Sequence, residues 1–155
     1  PLGDLIRSIH FWTAQIVTIT VILHLLRILY TASFKRPREL NWYVGFGLLL
    51  VTLGAVYTGS VLKYDQEGLE AVQHSKEAGE LMGVLGAFFT SEFSRSASLL
   101  TRLFTVHVSI LPLAFTALIG MHIYLINQHG ISPKAIPDAI ARNTKGKGES
   151  RSMFI

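Results

Sequence analysis

Three stretches of this chain carry no charged residue: 8–26, 40–62 and 103–133, of 19, 23 and 31 residues. About 20 apolar residues in helical form cross the hydrocarbon of a bilayer. The pattern therefore predicts three membrane-spanning helices, over about residues 4–31, 40–62 and 99–127. A further uncharged run, 81–91, is too short to span and reads as an interfacial or re-entrant piece. It lies within 63–95, where charge mixes with Leu69, Val72, Leu81, Val84 and Leu85, a composition suited to one or two short amphipathic helices on a membrane surface. Pro37 closes the turn between the first two spans, and Pro112 predicts a kink near the middle of the third. From 131 onward, Pro133, Pro137, Gly146 and Gly148 read as loop or tether. The organisation expected is a membrane domain over 1–133 and a tail or linker over 134–155.

Composition agrees with an all-α membrane protein. Half the residues are hydrophobic and only 15% are charged, against about 25% in an ordinary soluble domain. The net charge of +4 comes from an uneven distribution. Lys35, Arg36 and Arg38 follow the first span, and Lys134, Arg142, Lys145, Lys147 and Arg151 follow the third. Between 63 and 95, six carboxylates face three basic residues. Basic loops stay inside, which puts the first loop and the tail in the cytoplasm and 63–95 outside, and explains the basicity with no nucleic-acid partner. The first run holds two histidines and no small-residue cleavage site, so it reads as a span and not as a signal peptide. With no cysteine, disulfides, thiolate-bound metal and thioether-linked haem are excluded.

Candidate chemistry rests on four histidines inside the spans. His10 and His24 lie 14 residues apart in the first, and His107 and His122 lie 15 apart in the third. At ~1.5 Å and ~100° per residue, each pair spans roughly 21–22 Å and shares one helix face. The first and third spans run parallel, so His10 meets His107 and His24 meets His122. Such a pair of helices can hold two b haems at two depths, each iron between two imidazoles, with no open position and hence outer-sphere electron transfer. Ionisable residues within a membrane are functional by default; the plainer reading is a hydrogen-bonded packing histidine. Gly45 and Gly59, 14 apart on the second span, would let a porphyrin edge approach the backbone, with ordinary small-residue helix packing as the alternative. Arg7, Arg27 and Arg102 stand at span ends near the histidines and suit haem propionates, or simply snorkel to the interface. His74 and His129 fall outside the spans and read as exposed loop residues. Trp12, Trp42, Tyr30 and Tyr64 suit an interfacial aromatic belt. There is no Ser-His-Asp arrangement, phosphate loop or zinc spacing.

The motifs Arg7-Ser8-Ile9-His10, Leu23-His24-Leu25-Leu26-Arg27, the run from Phe34 to Trp42, Gly59 to Gln66, Thr101 to His107, Leu111-Pro112 and Gly130-Ile131-Ser132 closely resemble the haem-binding part of cytochrome b in quinol–cytochrome c and quinol–plastocyanin oxidoreductases. The likeness is to the short, plastid and firmicute-like branch and covers about residues 3–133. It implies a haem-binding four-helix bundle of which this chain carries three transmembrane helices, the preceding one missing. It implies an outer, low-potential haem on His10 and His107 and an inner, high-potential one on His24 and His122. A quinol-oxidising pocket would lie beneath 59–75, with Tyr64 and Asp65 as contacts, and a quinone-reducing pocket near the inner haem, with Asn127. Quinone would be the substrate, and electrons would divide between a Rieske iron–sulfur protein and the two haems, moving protons across a bacterial cytoplasmic membrane. Further partners implied are the C-terminal half of cytochrome b, or a separate subunit in its place, a c-type cytochrome and a second copy of the complex. Lys63, Phe11 and Asn127 depart from the family pattern, and the chain reads as part of a larger subunit, not catalytic alone. The alternative function is a dihaem membrane anchor of a respiratory dehydrogenase or reductase exchanging electrons with the quinone pool.

Overall fold

The computed structural model describes residues 2–130 apart from 92 and 95; the tail expected over 134–155 lies outside the described residues. Every regular element among them is helical. Helix α1 runs over Leu2–Tyr30 and α2 over Glu39–Leu62. Helix α3 covers Gln66–Leu81, followed by a 3₁₀ helix, Gly83–Phe89. The third long segment, Leu99–His129, is continuous but not uniform: α4 (Leu99–Thr105), a π-helical turn (Val106–Ile110) and α5 (Leu111–His129). These three long segments have the length and apolarity to cross a membrane, as the charge-free runs require. The described residues form an all-helical unit, and the chain is an integral membrane protein.

Local chemistry sets the ends. Backbone N–H groups of Thr31 and Ser33 donate to the carbonyls of Arg27 and Ile28 as α1 unwinds. The turn that follows packs the Phe34 ring on Trp42, with centroids 5.7 Å apart. Arg38 Nε donates to the Gly130 carbonyl at 3.2 Å, tying this turn to the far end of α5. Gly130 itself has φ of 69°, a conformation in which glycine ends a helix without steric cost. At the opposite end, the Asp65 carboxylate accepts from the Gly68 N–H at 2.9 Å and caps α3. Ser98 Oγ likewise caps α4 through the Thr101 N–H.

Packing is uneven along the molecule. α2 lies chiefly on α5, whereas α1 has no buried residue and its backbone keeps clear of α5 along most of its length. The buried apolar cluster sits where residues 63–98 fold back on the spans: Val61, Leu99 and Leu103, packed by Tyr57, Val72 and Phe89. Helix α3 turns a stripe of small residues inward. Gly68 and Gly79 are buried, Ala71 packs on the cluster, and Ser75 hydrogen-bonds the Tyr57 hydroxyl. Gly79 and Gly86 touch backbone to backbone, which joins α3 to the 3₁₀ helix. The expected amphipathic helix is thus present, but its large apolar residues are not all on the packed side. Val72 faces the cluster, while Leu81, at the end of α3, and Val84 and Leu85, on the 3₁₀ helix, are 84–92% exposed.

The irregularity expected at Pro112 appears one turn earlier. Proline offers no N–H to the carbonyl four residues before it, and the Leu111 N–H reaches back five residues to the Val106 carbonyl. The result is a π turn that contains His107.

Candidate functional site

The four intramembrane histidines meet in the gap between α1 and the third long segment. The His10 and His107 ring centroids are 6.1 Å apart with an interplanar angle of 86°; those of His24 and His122 are 6.4 Å apart at 79°. Two imidazoles bound to one metal through bonds of about 2.0 Å would have ring centres roughly 6.2 Å apart. Among the described residues no cluster of three or more His, Asp or Glu converges. A metal held here would have two protein ligands, one on either side, and would take its remaining ligands from a macrocycle.

The glycines of α2 stand directly behind two of the four rings. A Cβ on Gly59 would lie 3.1 Å from His107 Cε1, and one on Gly45 would lie 3.2 Å from His122 Cε1. The sequence gives these glycines a porphyrin edge as neighbour; in the structure the nearest side-chain atoms are the imidazoles themselves. Gly47 and Gly54 instead face Leu118 and Leu111, at ordinary van der Waals distance. The chain has thus left out a methyl group at both points where α2 presses on a histidine, and the residues present fit a haem at each level.

Sequence reasoning missed Thr58. Its Oγ1 lies 2.8 Å from His107 Nδ1, which leaves Nε2 as that ring's other nitrogen for a metal. The available signal was its place next to Gly59. His122 has no such hydroxyl, since Val44 precedes Gly45; its buried Nδ1 has only the Asn41 backbone carbonyl to serve it, and the Asn41 side-chain Oδ1 is buried without a partner. Around His24 and His122 the helices leave a cavity of about 540 Å³, lined also by Gly45, Arg27, Asn41 and Trp42. That size and mostly apolar lining suit a cofactor.

The remaining sequence candidates are placed as follows. Arg7 pairs with Asp4 at 3.2 Å and is highly exposed. Arg27 lines the cavity. Arg102 donates to the Phe88 carbonyl and, at 2.9 Å, to the Thr90 carbonyl. Its guanidinium also lies 5.5 and 5.4 Å from the Phe88 and Phe93 ring centres, so it fastens the 83–93 segment to the third span. Tyr64 is exposed with φ of 58°. Asp65 serves as the α3 cap, and the Gly68 N–H and then Lys63 hold its carboxyl below the usual range. Lys63, bridging Glu67 and Asp65, is held above the usual lysine value by those hydrogen bonds. Asn127 is exposed on α5 and does not line the cavity, whereas Ile126 and Gly130 do. His74 and His129 belong to helices, not loops; their Nδ1 atoms lie 2.8 and 3.1 Å from the Glu70 and Leu125 carbonyls.

Residues 15–151 match a family model described as cytochrome b (N-terminal)/b6/petB. The chain is 39% identical over 134 residues to a cytochrome b6 of Heliobacterium mobile, covering 84% of this chain and 63% of the relative. It is 34% identical over 135 residues to the menaquinol:cytochrome c reductase cytochrome b subunit of Bacillus subtilis (strain 168), covering 84% and 60%. The chain thus spans about three-fifths of the length of the curated relatives it matches.

Proposed function

Because this chain belongs to the cytochrome b (N-terminal)/b6/petB family, we propose that it is a dihaem transmembrane electron-transfer subunit of a quinol–cytochrome c or quinol–plastocyanin type oxidoreductase. The observation that carries the reading is the pairing of His10 with His107 and of His24 with His122 across one gap. His10 and His107 hold the outer haem b, and His24 and His122 the inner one. Bound there, haem would supply reversible one-electron chemistry, with the two imidazoles of each pair as the residues that hold it. Gly59 and Gly45 keep α2 close without displacing the ligand rings. Arg27 offers positive charge at the inner cavity.

The basic 31–38 turn supports an inner, cytoplasmic placement for that end, and the acidic 63–95 segment an outer one. Quinol would be oxidised at the outer side, near Tyr64 and Asp65. One electron would pass to a Rieske protein and one down the histidine pairs to a quinone near Asn127, with protons released outside and taken up inside. The rest of cytochrome b, a c-type cytochrome and a second copy of the complex would complete the assembly.

The test is haem determination on the membrane-bound assembly, with low-temperature reduced-minus-oxidised spectra. Two low-spin, six-coordinate b haems per chain are expected, and His107→Leu should remove only the outer one. A single haem, or an iron with an open coordination position, overturns the reading.

A further inference from the structure

At both levels a backbone carbonyl of α2 serves the ligand imidazole of the third span, that of Ala55 for His107 and that of Asn41 for His122; the two levels differ in one side-chain hydrogen bond. Thr58 Oγ1 lies 2.7 Å from the Gly54 carbonyl oxygen, 3.2 Å from that of Ala55 and 2.8 Å from His107 Nδ1. A threonine hydroxyl has one hydrogen to give and two lone pairs to offer. A carbonyl can only accept, so at 2.7 Å the hydrogen must point at Gly54; otherwise two acceptors would face each other without a proton between them. The contact with His107 is then made by an Oγ1 lone pair, and Nδ1–H is the donor. This fixes the neutral tautomer: Nδ1 carries the proton and Nε2 keeps its lone pair.

We infer that Thr58 is a positioning residue that locks His107 in the Nε2-ligating tautomer and lowers the reduction potential of the outer haem. The inference rests on the dihaem reading and deepens it. An acceptor on the far ring nitrogen raises the basicity of the ligating one. A more basic ligand favours the more highly charged ferric iron over the ferrous iron, so one-electron reduction becomes harder while the Nδ1 proton stays in place. At the inner level Val44 occupies the equivalent position and has no hydroxyl, so the inner haem is an internal control.

The experiment is a spectroelectrochemical titration of the two haems in the intact membrane assembly carrying Thr58→Val, Thr58→Ala or Thr58→Ser. In the Val and Ala variants the outer haem's reduction equilibrium should shift about three- to tenfold toward ferrous, tenfold being about 59 mV for one electron. The inner haem should be unmoved, and Ser should restore the parent value. Loss of the outer haem in Val and Ala with retention in Ser also supports the role, since such outer-shell partners are worth about 10–100-fold in metal affinity. An outer potential unchanged in Val and Ala, an equal shift at both haems, or failure of Ser to restore it overturns the inference. A parent assembly without two b-type signals overturns the dihaem reading itself, and this inference with it.

Discussion

Gly59 and His107 are in contact: a methyl carbon on the glycine would stand 3.1 Å from Cε1 of the imidazole. Gly45 and His122 repeat the relationship at 3.2 Å. An alanine at either position would push the ring by a few tenths of an ångström, and a valine further. A ring that must also meet a metal on its other side has little room to move. Gly59→Val should therefore lower the outer haem content by about tenfold or more, within the range seen when the support of a metal ligand is lost. Gly45→Val should do the same to the inner haem only. Quantitative haem spectra of both variants check this; loss of both haems from either one would point to general misfolding instead.

Arg102 joins two elements that sequence alone does not connect. Its donors reach the Phe88 and Thr90 carbonyls, and its guanidinium lies by two aromatic rings. Arg102→Leu should cost about 2 kcal/mol, the scale of a hydrogen bond from a charged group. Arg102→Lys should rescue little, because a point charge cannot reproduce the planar fork and the stacking. Hydrogen exchange over 83–90 should quicken in both variants while the outer haem stays bound. The reverse result, haem lost with the segment still protected, would assign the side chain to an anionic cofactor edge.

The start of α3 depends on charge within a definable pH window. The folded pKa of Asp65 is lowered, first by the Gly68 N–H and then by Lys63. Its contribution to stability is complete above the unfolded carboxylate value, about 3.9, and is lost as pH falls through the lower folded value. Lys63 is shifted up, so its contribution is complete below about 10.4 and is lost as pH rises through the higher folded value. The turn is thus held across the neutral range. Asp65→Asn keeps a capping oxygen and removes the charge. It should reduce protection of the Gly68 and Leu69 amides at pH 7 relative to the parent, and the difference should vanish in strong acid. A difference that persists undiminished in acid would rule the charge out.

The three spans and the histidine pairing were legible because both depend on helix repeat and charge-free length, which a sequence displays directly. Gly45 and Gly59 were legible through their spacing, although their nearest neighbours are imidazoles. Thr58 was hidden because threonine inside an apolar helix usually bonds its own backbone, as Thr52 does with the Leu48 carbonyl. The Arg102 fastening and the Gly79–Gly86 contact depend on how 63–98 doubles back, a path no local pattern specifies. For the same reason Leu81, Val84 and Leu85 could be recognised as apolar but not assigned a facing side. Asn127 was placed by resemblance alone, and a rotation of one position along α5 separates it from the cavity-lining Ile126.

The π turn at Val106–Ile110 has a consequence for how the two helices count. α1 separates its ligands by 14 residues and the third span by 15. On regular helices that surplus would rotate the second ligand by about 100° and raise it by about 1.5 Å. A π turn accommodates one more residue in a single loop of the spiral, and it starts at Val106 and runs through the first ligand, His107, toward the second. The bulge works as a spacer that brings unequal stretches of chain to equal rungs, so that both partners arrive opposite one another at either depth.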